Sequence, residues 1–472
     1  MKYSIRLLST ALALCATTVQ AEHDVFQPQR ETIHLGVQAV LTCNGLFTSN
    51  RTIEQINAQE LSYIPGKFGV EPSKLVKIDK KLRGVAISNP AGVTIRAIYR
   101  DGIGCVVLRP DQDFSVANQL PQIELQSAPA DYQTKAWPMG EANAPYQFKS
   151  AKQQQAIEAV ADSAFNTGNP EQDTLSLIVV HRGNIMLERY ADGVDRYTKT
   201  RTWSTAKSVF ATLAGIKVDR EEMSVSDSLN LDWSPEMPSP ETDPRNRITL
   251  GDALQMSTGL YPVDSFNMEY ANGSGLSYWA GESSAAGAVN RGLVREPGTF
   301  WDYENYDTLL ATMSFKNTFD SVADYHQFPS KALFNKLGMF NTLVSTDQYG
   351  DFIFSSQMYT TARDLARFGM LYANGGKWMG EQIISPEWIA YSTTPAPASK
   401  IRGHDYGAQW WFRKADENNG PVAQFTTRGN RGQYVVIIPE KELVIVRRGL
   451  DYGKQGFDPW KLADKVMAAL EN

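Results

Sequence analysis

Apolar positions recur at helical spacing in several stretches. Ile157, Val160, Ala161, Ala164 and Phe165 mark one helix face, and Val209, Phe210, Leu213 and Ile216 mark another. Trp460, Ala463, Val466, Met467 and Leu470 predict an amphipathic helix at the C-terminal end. Between these lie β-rich runs. Leu175 to Val180 and Ile185 to Tyr190 flank Arg182-Gly183-Asn184, and Gln433 to Ile438 and Leu443 to Arg447 flank Pro439-Glu440-Lys441-Glu442; each pair predicts a β-hairpin. Strands thus stand at both ends of residues 148–472, with Gly-, Ser- and Asn-rich, largely helical text between them. The pattern predicts an α/β (α+β) domain: one antiparallel sheet drawn from both ends, flanked by helices, with an inserted helical region. Hairpins in place of alternating β-α-β units argue against a Rossmann-type sheet.

Upstream, residues 22–117 read as a small N-terminal α+β extension. Thr52 with Gln55 has the form of a capping box opening a short helix toward Leu61. Val93 to Tyr99 and Cys105 to Leu108 predict a hairpin around Asp101-Gly102-Ile103-Gly104. Residues 118–147, rich in Pro, Gln and Ala, read as a linker draped over the following domain.

The first 21 residues have the form of a secretory signal. Lys2 and Arg6 supply the positive start, Leu7 to Ala16 a short apolar run, and Val19-Gln20-Ala21 a small-residue cleavage site. The expectation is an exported protein, periplasmic or secreted, cleaved after Ala21. The apolar run is too short to span a bilayer and no later stretch is long enough, so no stable membrane insertion is expected. Removing the leader leaves Cys43 and Cys105. An even count in an exported chain favours a disulfide, the alternative being two separate small core residues.

Composition narrows the function classes. The 472 residues are 42% hydrophobic and 21% charged, and 46 Lys+Arg against 52 Asp+Glu give a net charge of −6. That is a folded chain without the basic footprint of a nucleic-acid or anionic-lipid binder. The 5 His are not paired at ligand spacing and no H-E-x-x-H occurs, so neither a metal nor another cofactor is expected.

The chemistry concentrates at Ser204-Thr205-Ala206-Lys207, which opens an amphipathic segment. Positions i and i+3 share a helix face, so the Lys207 amine can reach the Ser204 hydroxyl. A serine is a poor nucleophile until a neighbouring base takes its proton, and a lysine serves as that base only when burial or nearby cations make it neutral. The helix start also aims backbone N–H groups at developing negative charge. Further on, Tyr303 and Asn305 offer a phenol and an amide two positions apart, able to project the same way from an extended loop. Later still, Thr427-Arg428-Gly429-Asn430 precedes Gly432-Gln433 on the C-terminal hairpin, where an edge amide can complete an oxyanion hole.

In this order, Ser204-x-x-Lys207, Tyr303-x-Asn305 and a strand glycine resemble the serine β-lactamase and penicillin-binding-protein-like hydrolases, in particular the class C-like branch of esterases and 6-aminohexanoate-dimer hydrolases. Supporting text runs from Ile248 to Leu260, from Tyr359 to Gly369 and from Gly432 to Pro439. Cys43-Asn44-Gly45 and Gly104-Cys105 are similar to an extension carried by some members.

The resemblance implies a β-lactamase-like fold and an acyl-enzyme on Ser204, formed from a small-molecule ester or amide. It further implies that Lys207 and Tyr303 share the proton traffic, the division between them left open. Asn305 would hydrogen-bond Lys207 or the substrate, and the amides of Ser204 and Asn430 would hold the oxyanion. Trp203, Trp301 and Tyr406, with Trp410 and Trp411, are candidates for an aromatic acyl pocket, core packing being the alternative. One departure matters: Thr427-Arg428-Gly429 stands where lactamases have K-T-G. The missing lysine argues for an esterase or amidase over a lactamase or D-alanyl carboxypeptidase. Arg428, next to Thr427 on a strand, is expected to point away from the site. A catalytically silent module binding peptide or cell-wall ligands is the rival from another class.

Overall fold

The computed structural model describes residues 24–413, 423–453 and 455–472, so the expected signal peptide lies outside the described residues. The chain opens with helix α1 (Gln27–Phe47), followed by strands β1 (Leu75–Asp79), β2 (Gly84–Ser88), β3 (Thr94–Arg100) and β4 (Gly104–Leu108) in one antiparallel sheet of that order. Cys43 on α1 and Cys105 on β4 form a disulfide. The periodicity reading did not find α1, because Gln38, Thr42 and Asn44 are buried along with its apolar residues and blur the stripe. The Thr52 capping box is present, with Gln55 bonding back to it.

The extension does not stand apart. Val37, Val40, Ile95 and Ile98 belong to the same continuous core as Trp203, Phe210 and Leu213. Gly36 of α1 lies against the helix Gly275–Trp279, where a Cβ would fall 1.6 Å from the Trp279 carbonyl oxygen. Only a glycine admits so close a backbone contact.

Next come helix α2 (Ala151–Phe165), strands β5 (Thr174–His181) and β6 (Asn184–Tyr190), and helices α3 (Thr205–Asp219), α4 (Asn305–Lys316) and α5 (Ala362–Ala373). Strands β7 (Trp411–Phe412), β8 (Phe425–Gly429), β9 (Gln433–Ile438) and β10 (Leu443–Gly449) lead to the last helix, α6 (Pro459–Leu470). The main sheet runs β7-β8-β9-β10-β5-β6, every neighbouring pair antiparallel, so strands from both ends meet at β10–β5. Alternation sorts the side chains onto two covered faces. Leu177, Val179, Val436 and Ile445 pack with α2 and α6, while Ile178, Val180, Val435 and Val444 pack with α3 and α5. Among the described residues no helix is long and apolar enough to cross a membrane.

Residues 118–147 are tied down by specific polar contacts. The Glu141 carboxylate accepts from Arg363 at 2.7 Å and from Arg367 at 2.9 Å, both on α5 and both fully buried. The Arg363 and Arg367 pair therefore serves packing: it pairs buried charges and anchors this segment to the helix that covers the sheet.

Candidate active site

The approach to α3 is fixed from several sides. Thr200–Arg201 pairs with Met358–Thr360, and buried Arg448 on β10 donates to the carbonyls of Thr200, Arg201 and Thr360. Arg201 in turn donates to the Ser356 carbonyl and hydroxyl, at 3.1 and 2.6 Å, and stacks 4.0 Å from the Trp203 ring. Trp203 is held at φ +50, an uncommon conformation for a residue with a Cβ, and it presents Ser204 as the N-cap of α3. Serine at an N-cap ordinarily accepts a hydrogen bond from the first turn. Here Ser204 has helical backbone angles and makes no cap bond, which leaves its hydroxyl for other work.

That hydroxyl lies 3.2 Å from Lys207 Nζ. The buried amine has two closer partners, Ser355 O at 2.6 Å and Asn305 Oδ1 at 2.7 Å. Both accept only. A neutral amine spends its two N–H groups on them and turns its lone pair to Ser204. A chain of bonds fixes the Asn305 amide: its Nδ2 donates to Ser274 Oγ, which donates to Asp264 Oδ2, and Asp264 also accepts the amides of Ser274 and Asn305. Tyr303 stands on the other side. It shares the cleft wall with Ser204, and Lys207 Nζ lies 4.9 Å from its ring centroid. Asn305 is already the first residue of α4, while Glu304 before it is extended, so the alternation across Glu304 turns both side chains toward Ser204.

Burial dominates the electrostatics. It lowers the Lys207 pKa to about 7, against the opposing pull of Asp264, Glu269 and Glu304. The Tyr303 phenol is pushed well above its ordinary value, first by burial and against the lowering effect of the neighbouring Ser204 side chain, so it stays protonated at neutral pH. Burial, and then Asp264, raise Glu269 to about 7 and Glu304 to about 9. Near pH 7 the protons in play are thus those of the Lys207 amine and of Glu269.

A cleft of about 430 Å³ opens over Ser204, with Tyr303, Asn305, Trp203 and Asn430 in its wall. The Ser204 and Asn430 amides have no protein acceptor among the described residues, so both are free to bind an oxyanion. The close approach of β8 to this segment is set by Gly429, where a Cβ would fall 2.2 Å from the Thr202 carbonyl oxygen.

Two expectations about the cleft are corrected. Trp301 and Tyr406 do not line it; both are buried in a cluster with Met256 and Ala398, forming the layer behind Tyr303 and Trp411. Trp410 is likewise core, packed on Phe368 and Tyr372, whereas Trp411 reaches the wall. Arg428 does not point away. Thr427 faces inward, bonded to Thr205 Oγ1 and the Val435 amide, and strand alternation then throws Arg428 into the cleft beside Trp411.

Sequence reasoning missed Asp264, Glu269, Ser274 and Ser355. The first three sit in irregular text without a motif, and Ser355 acts through its carbonyl, which leaves no signature in residue type. It also missed Lys67, which the N-terminal extension contributes to the same cleft wall.

Comparison with known proteins agrees with this architecture. The family model described as Beta-lactamase matches residues 162–447. An uncharacterised protein of Alkalihalophilus pseudofirmus is 23% identical over 320 residues, covering 62% of this chain and 90% of its own. A Bacillus anthracis structure, provisionally named a 6-aminohexanoate-dimer hydrolase, superposes with a TM-score of 0.54 at 17% identity, over 76% of this chain and 91% of its own. A penicillin-binding-protein homolog from Caulobacter crescentus gives 0.52 at 17% identity, over 69% and 98%.

Proposed function

The chain belongs to the β-lactamase family, a family of hydrolases, and on that premise we propose that it is an exported serine hydrolase cleaving ester or amide bonds through an acyl-enzyme on Ser204. The observation that carries this reading is the Lys207 amine, lowered to about 7 and held by two acceptors with its remaining position toward Ser204 Oγ. Ser204 Oγ attacks the carbonyl carbon as its proton passes to Lys207. The developing oxyanion accepts from the Ser204 and Asn430 amides, each such donor being worth about 3–4 kcal/mol in the transition state. When the intermediate collapses, the C–O or C–N bond to the leaving group breaks. Tyr303 hands its proton to that group and is reprotonated from Lys207. Water then attacks the ester carbonyl, giving its proton to the same amine, and the acid leaves with Ser204 restored.

The departure at Thr427 supports an ester or linear amide over a β-lactam. Its hydroxyl is committed to Thr205 and Val435, and the lysine of lactamases is missing. Export rests on the leader pattern of residues 1–21 and is compatible with the Cys43–Cys105 disulfide. Ser204→Ala tests the reading directly. Hydrolysis of p-nitrophenyl esters by the purified protein should fall by about 10³-fold or more, and a variant as active as the parent would end the proposal.

A further inference from the structure

The matched family region begins at residue 162, yet the loop that carries Asn430 is held by residues far upstream of it. Asn430 Nδ2 donates to the Tyr63 hydroxyl at 3.1 Å, and that hydroxyl lies 2.7 Å from the hydroxyl of Tyr270 on the cleft wall. The buried Tyr63 ring also packs on Trp203, with centroids 5.3 Å apart. One side chain therefore touches the residue before Ser204 and the side chain of Asn430, the two places from which the oxyanion donors project.

The next residue strengthens the connection. Arg431 is buried at φ +59, and its guanidinium donates to Glu60 O at 2.9 Å, Gln59 O at 2.8 Å and Ser62 Oγ at 3.2 Å. On its other side it donates to Leu450 O and Asp451 O at the end of β10. The oxyanion loop is thus clamped between the main sheet and the Gln59–Tyr63 segment of the extension.

We infer that Tyr63 is a positioning residue for the oxyanion hole, setting the separation of the Ser204 and Asn430 amides, and that the N-terminal extension is in this way a working part of the catalytic site. The inference rests on the reading of those amides as oxyanion donors. Its physical basis is that donors stabilise a tetrahedral oxyanion only when fixed at its position beforehand, so loosening one side of the hole lowers the rate of the chemical step more than substrate binding.

The test is Tyr63→Phe, which keeps the ring and its packing on Trp203 and removes the hydroxyl. With p-nitrophenyl esters kcat should fall about 5- to 20-fold with KM changed less than about twofold. Affinity for a boronate transition-state analogue should fall in step. Asn430→Ala keeps the amide and removes the partner of Tyr63, so it should give a similar kcat loss. In that background Tyr63→Phe should cost less than about twofold, a coupling that a purely structural role would not produce. Should Tyr63→Phe fail to fold, Asn430→Ala alone decides. Unchanged kcat in a folded variant, a loss confined to KM, or additive effects would overturn the inference. Ser204→Ala is measured alongside. Retained activity there overturns the parent reading, whereas Ser204-dependent hydrolysis with a silent Tyr63→Phe overturns this inference alone.

Discussion

Lys207 Nζ lies 2.6 Å from the carbonyl oxygen of Ser355, 148 positions along the chain. A backbone carbonyl cannot donate, so it fixes one N–H of the amine whatever the pH. Arg201 holds the neighbouring Ser356 by its carbonyl and its hydroxyl, so the segment bearing that acceptor is itself anchored. The amine is oriented by the main chain, and its proton affinity is set by burial among carboxylates.

This arrangement predicts a pH profile. The proposed mechanism requires the neutral amine, so kcat/KM should rise with pH through about 7 and level off above it, Tyr303 staying protonated across that range. The limb belongs to the coupled set of Lys207 and its carboxylate neighbours. An ionised Glu269 favours the charged amine, so Glu269→Gln should move the limb to lower pH. Glu304 pulls the same way but less strongly, so Glu304→Gln should move the limb in the same direction by less. Profiles of the two variants on one ester check the direction and the order.

Arg428 places an exposed cation on the cleft wall, 5.3 Å from the Trp411 ring. Arg428→Gln should raise KM severalfold for esters or amides bearing a carboxylate and leave neutral esters within about twofold, since a single exposed charge pair contributes on the order of 1 kcal/mol. Matched substrate pairs with and without the carboxylate measure the difference.

Glu141 accepts from Arg363 and Arg367 where all three side chains are almost fully buried. Each arginine keeps a second carboxylate, Glu188 or Asp364. Glu141→Gln should therefore destabilise the fold by about 3 kcal/mol, the lower end for breaking a buried ion pair. Urea unfolding at constant m-value reads this directly, with kcat of the folded enzyme little changed because the network lies away from the cleft.

Much of the site was legible where chemistry coincides with local spacing. Ser204 and Lys207 meet because positions i and i+3 share a face, and Tyr303 and Asn305 turn the same way across an extended residue. The hairpins of β5–β6 and β9–β10 were readable from their period-2 runs and turns. What lay hidden depends on tertiary contact. Helix α1 mixes buried polar residues into its stripe, Asp264 and Ser274 act through a relay visible only once folded, and Ser355 contributes an atom that every residue has. Arg428 shows how a sound rule fails on its premise: strand neighbours do alternate, but Thr427 takes the inward face. Trp301 and Tyr406 show that aromatic residues near a motif are as readily its backing layer as its wall.

The central claim is that Ser204 becomes acylated by way of a neutral Lys207. The most direct measurement is intact-mass and peptide-level spectrometry after brief exposure to a fluorophosphonate, on the parent protein and on Lys207→Met. The account predicts one adduct, on the peptide bearing Ser204, formed faster as pH rises through about 7 and slowed by orders of magnitude in the variant. An unmodified Ser204 in an esterolytically active protein, or labelling at the same rate without the amine, would contradict it.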